Sequence, residues 1–471
     1  MTDWTATRTV EAIRAGEVSC TEVVNSTLER CARAHRATGC FVELDTDAAL
    51  RRAAAVDRLT GTQRRSHPLV GLPYAYKDVF VHGGRAPGVG QARAHLTYRA
   101  TEARSLADTD RAGGVAVGRL SLDPLGYTTT GLNGPLGDTR NPWDPGRISG
   151  GSSAGAAVAV AAGAVPVAIG TDTGGSVRIP AALCGVVGLK PTYGRISRHG
   201  ATPMSYSQDT IGILARTVHD VALVLEVLAG HDPADPGSIA APVPRYRLPE
   251  DRGDPATLNG LRIGVDPDHV SRHAGPEVTT ALEAACAVLV GLGARLVEVD
   301  LGAFAGYNTA AGVLTGTEVL AVHGADYREH RAEYAEPVCT RLDLALMTPG
   351  SAHPDAQRLQ GRALRDVLSG VLAQCDLIAT PAAGHTAPEI ARMLDNPSAA
   401  AEVNLALLNL NRPYSFLGLP SMSVPMGFAG DGLPMAMQLA GRPWSEPTIL
   451  RAGAAYQGAT AWHTRRAPAI A

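Results

Sequence analysis

Residues 147–192 decide the fold, and they read RISGGSSAGAAVAVAAGAVPVAIGTDTGGSVRIPAALCGVVGLKPT. Two loops rich in glycine and serine, residues 150–155 and 171–176, enclose a segment of alanine and valine without a charged side chain. Its proline, glycines and many alanines make it less apolar than a membrane span. The pattern therefore predicts a buried helix over residues 153–163 and a short buried strand over residues 165–169.

The second of these loops has the composition of an anion-stabilising turn. Glycine next to serine indicates a sharp turn with exposed backbone N–H groups, which a developing oxyanion requires. Ser176 follows two glycines. We therefore predict an oxyanion hole formed by the backbone N–H groups of Thr173, Gly174, Gly175 and Ser176.

Three ordered blocks of the sequence resemble the amidase signature family. They are GGSS at residues 150–153, GTDTGGSVRIP at residues 170–180 and, upstream, GLPYAYKD at residues 71–78. The resemblance implies acyl transfer by a Ser–cis-Ser–Lys triad, here Ser176, Ser152 and Lys77. It also implies a single α/β domain with a central mixed, mostly parallel twisted sheet surrounded by helices.

The chemistry of amide cleavage assigns a role to each member of this triad. An amide is a poor electrophile, so its cleavage needs an activated nucleophile and a proton for the departing amine. Lys77 can act as the base only when it is neutral. A lysine with an unperturbed pKa is neutral in only about 1 of 2,500 molecules at pH 7, so burial must lower the pKa. Ser152 then relays the proton from Ser176 to Lys77.

Supporting roles are predicted for residues around the triad. Asp172 is expected to accept backbone hydrogen bonds within its loop, and Arg178 to brace the same turn. The resemblance implies a cis peptide between Gly151 and Ser152. It also places one wall of the acyl pocket, and hence substrate contacts, at Gly126, Tyr127, Thr128 and Thr129.

A competing interpretation makes Ser153 the nucleophile. Residues 151–155 match the G-x-S-x-G elbow of α/β-hydrolases. That elbow needs a strand directly before it, whereas residues 143–149 are polar and contain proline and glycine. It would also leave the loop at residues 171–176 without a role. We therefore favour Ser176.

Nothing in the sequence indicates a metal or a cofactor. No H-E-x-x-H motif occurs, and no histidine adjoins a nucleophile-like loop. We therefore predict no metal site and activity without a cofactor.

Composition bounds the architecture of the chain. The chain has 471 residues, and 18% of them are charged, below the usual ~25%, which fits a large buried core. A stretch rich in proline, aspartate and glycine follows residue 230. We predict one domain with four parts: N-terminal helices at residues 1–66, a signature core at 67–230, a linker at 231–255, and a C-terminal lobe sharing the sheet at 256–471.

Charge and cysteine content constrain partners and location. A net charge of −3 gives no electrostatic reason to expect binding of nucleic acid or of an anionic membrane. The first residues lack an apolar leader region, and the seven cysteines contain no C-x-x-C pair. These features predict a cytoplasmic protein with free thiols. The helices of residues 1–66 either cover the sheet or contribute to a homodimer.

The sequence thus predicts a hydrolase that cleaves the C–N bond of a small carboxamide, with esters and carbamates as further substrates, using water and no cofactor. The alternative is the amidase-type A subunit of a glutamine-dependent, tRNA-linked amidotransferase, which works with partner subunits. Both use the same acyl-transfer chemistry.

Overall fold

The computed structural model describes residues 4–91, 101–248 and 257–468, and an 11-stranded sheet runs through it. The order across the sheet is β1-β3-β2-β4-β6-β5-β10-β11-β9-β7-β8. The strands are β1 Phe41–Leu44, β2 Pro73–Lys77, β3 Val115–Leu120, β4 Val167–Asp172, β5 Val187–Lys190, β6 Thr210–Ala215, β7 Arg262–Val265, β8 Arg295–Glu298, β9 Leu377–Pro381, β10 Ser421–Phe428 and β11 Pro434–Gly441.

The sheet is mixed, as expected, but it is not mostly parallel. Among the described strands, six neighbouring pairs are antiparallel and four are parallel. The reason lies in the middle of the sheet. There β10 and β11 form a hairpin, and β5 and β6 pair with their neighbours without the crossover helices that parallel strands require.

Helices cover this sheet. They are α1 Ala6–Ala15, α2 Cys20–Thr38, α3 Thr46–Asp57, α4 Gly61–Ser66, α5 Arg104–Arg111, α6 Ala154–Ala161, α7 Arg178–Cys184, α8 Val218–Leu228, α9 Pro267–His273, α10 Pro276–Gly291, α11 Phe304–His330, α12 Glu336–Leu346, α13 Ala352–Ser369, α14 Val371–Gln374, α15 Ile390–Asp395, α16 Pro397–Phe416 and α17 Glu446–Ala459. In the ranges described, none of these helices has the length and apolarity needed to cross a membrane.

The close packing of helix α6 explains why residues 154–161 consist of small side chains such as alanine and glycine. Every residue of α6 is buried. A methyl group on Gly155 would lie only 2.3 Å from the carbonyl oxygen of Cys40, so only glycine permits this close approach. The following strand begins at Val167, two residues later than expected, because Pro166 has no N–H group for the sheet ladder.

One apolar core joins the two ends of the described chain. Ala6 in α1 and Tyr456 in α17 belong to the same cluster of buried side chains. All seven cysteines are buried and free. A single domain with a shared core therefore agrees with the sequence, while the internal boundaries at residues 66, 230 and 255 stay predictions.

The expected linker packs against the protein where it is described. Residues 231–248 contain no helix or strand, and the remainder of the predicted linker, residues 249–255, lies outside the described residues. Within the first part, Asp235 accepts hydrogen bonds from the backbone and the guanidinium of Arg198. This segment forms part of the cleft described below.

Candidate active site

Lys77 is the last residue of β2, and this position places its side chain beside the loops at residues 150–155 and 171–176. It is fully buried. Its Nζ donates to Ser152 Oγ at 2.8 Å and to Thr171 Oγ1 at 2.9 Å. Both partners are neutral hydroxyls, so the ammonium form gains no ion pair here.

The surroundings lower the pKa of Lys77 to about 8. Burial is the main cause, because it removes water from the charged form. The negative charges of three aspartates oppose this shift, and they are Asp123, Asp172 and Asp209. At a pKa near 8, roughly one lysine in ten is neutral at pH 7.

The peptide bond between Gly151 and Ser152 is cis, as the family resemblance implies. A methyl group on Gly151 would lie 2.1 Å from Asp123 Oδ1, so no other residue fits. The Asp123 carboxylate is itself held by Thr128 Oγ1 at 2.6 Å and by the N–H of Gly131 at 3.0 Å. Gly151 is therefore in tight contact with a fixed carboxylate.

Asp172 organises the turn that leads to Ser176. Its carboxylate accepts the N–H groups of Gly175 at 2.9 Å and of Val177 at 3.2 Å, and Arg178 donates to both of its oxygens. Burial alone would raise the pKa of Asp172, but the charge and hydrogen bonds of Arg178 lower it to about 2. The carboxylate thus stays ionised and holds the turn closed.

The predicted oxyanion hole needs one revision. The N–H of Gly175 donates to Asp172, so that donor is already committed. Within the described ranges, the N–H groups of Thr173, Gly174 and Ser176 donate to no protein acceptor. These three are the donors that remain for a developing oxyanion.

The two neighbouring serines differ in how they are engaged. In the part of the chain that the structure describes, Ser176 Oγ makes no hydrogen bond, and none joins it to Ser152. Ser153 is committed instead, because its Oγ donates to the carbonyl of Thr171 at 3.0 Å and its N–H to the carbonyl of Ser176 at 3.0 Å. No strand directly precedes Ser153. The elbow interpretation therefore has no structural basis.

Two cavities meet at the predicted triad. The larger, of about 360 Å³, is lined by Lys77, Ser152 and Thr171 together with the residues around Arg198 and Asp235. The smaller, of about 20 Å³, contains Ser176. Three residues line both cavities, and they are Gly126, Thr173 and Met204.

The smaller cavity also contains the whole predicted acyl wall. Its lining consists of Gly126, Tyr127, Thr128, Thr129, Thr173, Gly174, Ser176, Met204, Thr315, Arg341, Leu408 and Arg412. Sequence reasoning did not identify Arg341 or Arg412, nor the hydroxyl of Thr171 beside Lys77. Arg341 and Arg412 carry no motif, whereas Thr171 stands inside a loop that the sequence already marked.

No candidate metal centre accompanies the predicted triad in the ranges described. Over residues 4–91, 101–248 and 257–468, the structure brings together no group of three histidine, cysteine, aspartate or glutamate side chains able to hold an ion.

Comparison with known proteins identifies the family of this chain. The family model named Amidase matches residues 22–450. The A subunit of the glutamyl-tRNA(Gln) amidotransferase of Chloroflexus aurantiacus is 37% identical over 488 aligned positions, which cover 98% of each chain.

Solved structures show the same architecture. A chain from a vestigial protein complex that reveals the origins of an s-triazine catabolic enzyme has a TM-score of 0.85 at 32% identity, covering 96% of this chain and 98% of that one. Substrate-bound 6-aminohexanoate cyclic dimer hydrolase has a TM-score of 0.85 at 27% identity, covering 99% of both. The chain described here belongs to the amidase signature family and is a hydrolase of C–N bonds in amides.

Proposed function

We propose that this chain hydrolyses a carboxamide through an acyl-enzyme on Ser176. The observation that carries the proposal is the hydrogen bond from the buried Lys77 Nζ to Ser152 Oγ at 2.8 Å. It gives the middle serine a base whose lowered pKa makes a neutral form accessible near pH 7.

Each step has an atom to perform it. Ser176 Oγ attacks the carbonyl carbon while its proton passes to Ser152 Oγ, and the proton of Ser152 passes to Lys77 Nζ. The free N–H groups of Thr173, Gly174 and Ser176 stabilise the oxyanion. The C–N bond then breaks as Ser152 returns a proton to the leaving amine and regains one from Lys77.

Water completes the cycle. It attacks the acyl-enzyme carbonyl and loses a proton through the same relay, and Ser176 leaves with that proton. The products are a carboxylic acid and ammonia or an amine. The larger cavity is lined by Ser152, the proton donor, and therefore accommodates the departing amine in this proposal. The acyl part then lies on the side of Ser176.

Covalent labelling tests this assignment. A fluorophosphonate should label Ser176 in the wild-type chain, identified by peptide mass spectrometry. Ser176→Ala should lose both labelling and amide turnover. Ser66→Ala, which changes an exposed serine in α4, serves as the matched control and should keep both. Labelling of Ser153 with Ser176 untouched would overturn the proposal.

A second candidate concerns the assembly in which this chemistry operates. Several curated relatives that match nearly the whole chain are A subunits of glutamyl-tRNA(Gln) amidotransferases. Whole-length similarity favours a role in such an assembly over that of a stand-alone small-molecule amidase. In that role, partner subunits would receive ammonia released from glutamine. A homodimer and a cytoplasmic location belong to the proposal in either case.

Two measurements distinguish these roles. Affinity purification of the chain from its own host should recover stoichiometric partner subunits if the chain belongs to an amidotransferase, and glutamine should be its preferred amide. Turnover of other small amides by the isolated chain, without glutaminase activity or partners, would support the stand-alone enzyme.

A further inference from the structure

Asp209 is a buried carboxylate beside the loop that carries Ser176. It directly precedes β6, which runs antiparallel to β4 with Thr210 paired to Asp172. This register places Asp209 opposite Thr173, the residue that follows β4. Burying a carboxylate is costly unless hydrogen-bond donors surround it, so the partners of Asp209 indicate what it holds in place.

The carboxylate of Asp209 joins two loops that border the active-site cavities. Its Oδ1 accepts a hydrogen bond from Thr173 Oγ1 at 2.6 Å. Its Oδ2 accepts the N–H groups of Met204 at 2.8 Å and of Ser205 at 2.9 Å. Thr173 and Met204 each line both the larger and the smaller cavity. One side chain therefore ties the loop of the predicted oxyanion hole to the loop at residues 204–205.

The oxyanion loop is thus anchored by two carboxylates, one on each side of its free donors. Asp172 holds the N–H group of Gly175, whereas Asp209 holds the side chain of Thr173. In the part of the chain that is described, the N–H groups of Thr173 and Gly174 donate to no protein acceptor. These two donors lie on the chain between the two anchors.

We propose that Asp209 is a positioning residue for the oxyanion hole, which acts by holding the hydroxyl of Thr173. Oxyanion donors stabilise the transition state only when they are aimed at the developing charge, and a displacement of about 1 Å can cost on the order of 10²-fold in rate. Asp209 itself touches no reacting atom. The inference rests on the proposed function, because it requires attack by Ser176.

Removal of the Thr173 hydroxyl is the first test. Thr173→Val keeps the shape of the side chain and the backbone N–H group but offers Asp209 no donor. The maximal rate of Ser176 labelling by a fluorophosphonate should fall about 10- to 100-fold. The probe concentration at half-saturation should change by less than about threefold, because the donors act as charge develops and not during binding.

A conservative replacement checks that the hydroxyl is responsible. Thr173→Ser keeps the donor to Asp209 and should recover most of the labelling rate that Thr173→Val loses. A wild-type labelling rate in folded Thr173→Val, or a rate in Thr173→Ser as low as in Thr173→Val, would overturn the inference. Thermal unfolding establishes that each variant is folded.

Removal of the carboxylate separates positioning from stability. Asp209→Ala is compared with Asp220→Ala, because Asp220 is also buried and accepts the N–H group and the hydroxyl of Thr7 at 2.8 and 3.0 Å. Asp220 lies in α8, and neither it nor Thr7 lines either cavity. Both variants should lose thermal stability, but only Asp209→Ala should slow labelling per folded molecule, by about tenfold or more. Equal labelling rates in the two variants would contradict the inference.

A double variant tests whether Asp209 acts through Thr173. Asp209→Ala also removes a negative charge that opposes the lowering of the Lys77 pKa by burial, whereas Thr173→Val leaves that charge in place. In the Asp209→Ala background, Thr173→Val should slow labelling by less than about threefold, because the hydroxyl has already lost its acceptor. Multiplication of the two single effects would overturn the inference.

The outcomes also distinguish this inference from the proposed function. If Asp209→Ala does not fold, the two Thr173 variants decide the question by themselves. Labelling of Ser176 in the wild-type chain with no effect of Thr173→Val would reject the positioning role alone. Absence of Ser176 labelling in the wild-type chain would instead reject the proposed function and this inference with it.

Discussion

Two arginines lie at the same turn of α16, and they differ in whether an acidic side chain compensates their charge. Arg178 is wholly buried and donates to the Asp172 carboxylate, to the carbonyl of Asn411 and to the side chains of Gln438 and Ser415. The next residue along α16, Arg412, has no acidic partner in the described structure. A buried cation whose donors are all satisfied stabilises the fold. A cation without an acidic partner can instead pair with an anionic ligand.

Lys77 is a third case, since the proposed mechanism uses it only in its uncharged form. Its two hydrogen-bond partners are hydroxyls, which stabilise an amine without fixing a positive charge. The comparison therefore separates Arg178, a cation paired within the fold, from Arg412, a cation without an acidic partner in the described structure, and from Lys77, the proposed base. The following predictions test that separation, beginning with the largest expected effect.

Replacing Lys77 should abolish acylation whether or not the charge is kept. Arginine has no accessible neutral form, so Lys77→Arg should lose about as much activity as Lys77→Ala, on the order of 10³-fold. Single-turnover acylation is the measurement, because product release could mask a slower chemical step. Substantial acylation by Lys77→Arg would show that Lys77 acts as a fixed cation and would remove it from the base role.

Replacing Arg178, which is paired with Asp172, should destabilise the fold, whereas replacing Arg412, which has no acidic partner in the described structure, should not. Arg178→Gln leaves the Asp172 carboxylate buried without its counter-charge, which should cost about 3–5 kcal/mol of the free energy of unfolding. Arg412→Gln should stay within about 1 kcal/mol of wild type, because no ion pair is lost.

Urea unfolding at pH 7 compares the two arginine variants directly. An equally large loss in Arg412→Gln would mean that this guanidinium also maintains the structure, and the contrast between the two arginines would disappear.

Enlarging Gly151 should disturb the framework more mildly. A methyl group there would collide with the Asp123 carboxylate at 2.1 Å, and overpacking of this kind costs about 1–3 kcal/mol. Gly230→Ala is the control, since no atom lies within 4 Å of the added carbon. Thermal unfolding and Ser176 labelling should both be impaired in Gly151→Ala only. A stable, fully labelled Gly151→Ala would show that Asp123 moves without consequence.

The sequence predicts those site residues that stand in short motifs, and it does not predict residues that come together only from distant parts of the chain. Lys77, Ser152, Asp172 and Ser176 stand in short motifs whose local turns and strand ends bring them together. Arg341 and Arg412 reach the cavity only because α12 and α16 fold back over the signature loops. Neither occurs in a motif, and each is one of many arginines, so only the tertiary structure selects them.

The same distinction applies to the fold. The hairpin of β10 and β11 is local, because only residues 429–433 separate the two strands. The pairing of β5 with β10 joins segments more than two hundred residues apart, and nothing local specifies its direction. The expectation of a mostly parallel sheet was wrong because this pairing and those of β4 and β5 with β6 are all antiparallel. The engagement of Gly175 N–H by Asp172 also depends on exact loop closure, which composition does not reveal.

The smallest expected effect is the pH dependence of the base. Because burial lowers the pKa of Lys77 from 10.5 to about 8, its neutral fraction increases from roughly a tenth at pH 7 to roughly nine tenths at pH 9. Acylation by a neutral amide such as butyramide should therefore rise almost tenfold over this range. A neutral substrate is chosen because its own charge does not change between pH 7 and pH 9. The chain contains only two lysines, Lys77 and Lys190, so lysine labelled with ¹³C at Cε gives two resonances, which Lys77→Arg assigns. The Lys77 resonance should titrate at the same pH as the rate. A rate that is flat or falls between pH 7 and 9, or a lysine that stays charged while the rate rises, would show that another group is the base and that Lys77 belongs with the fixed cations.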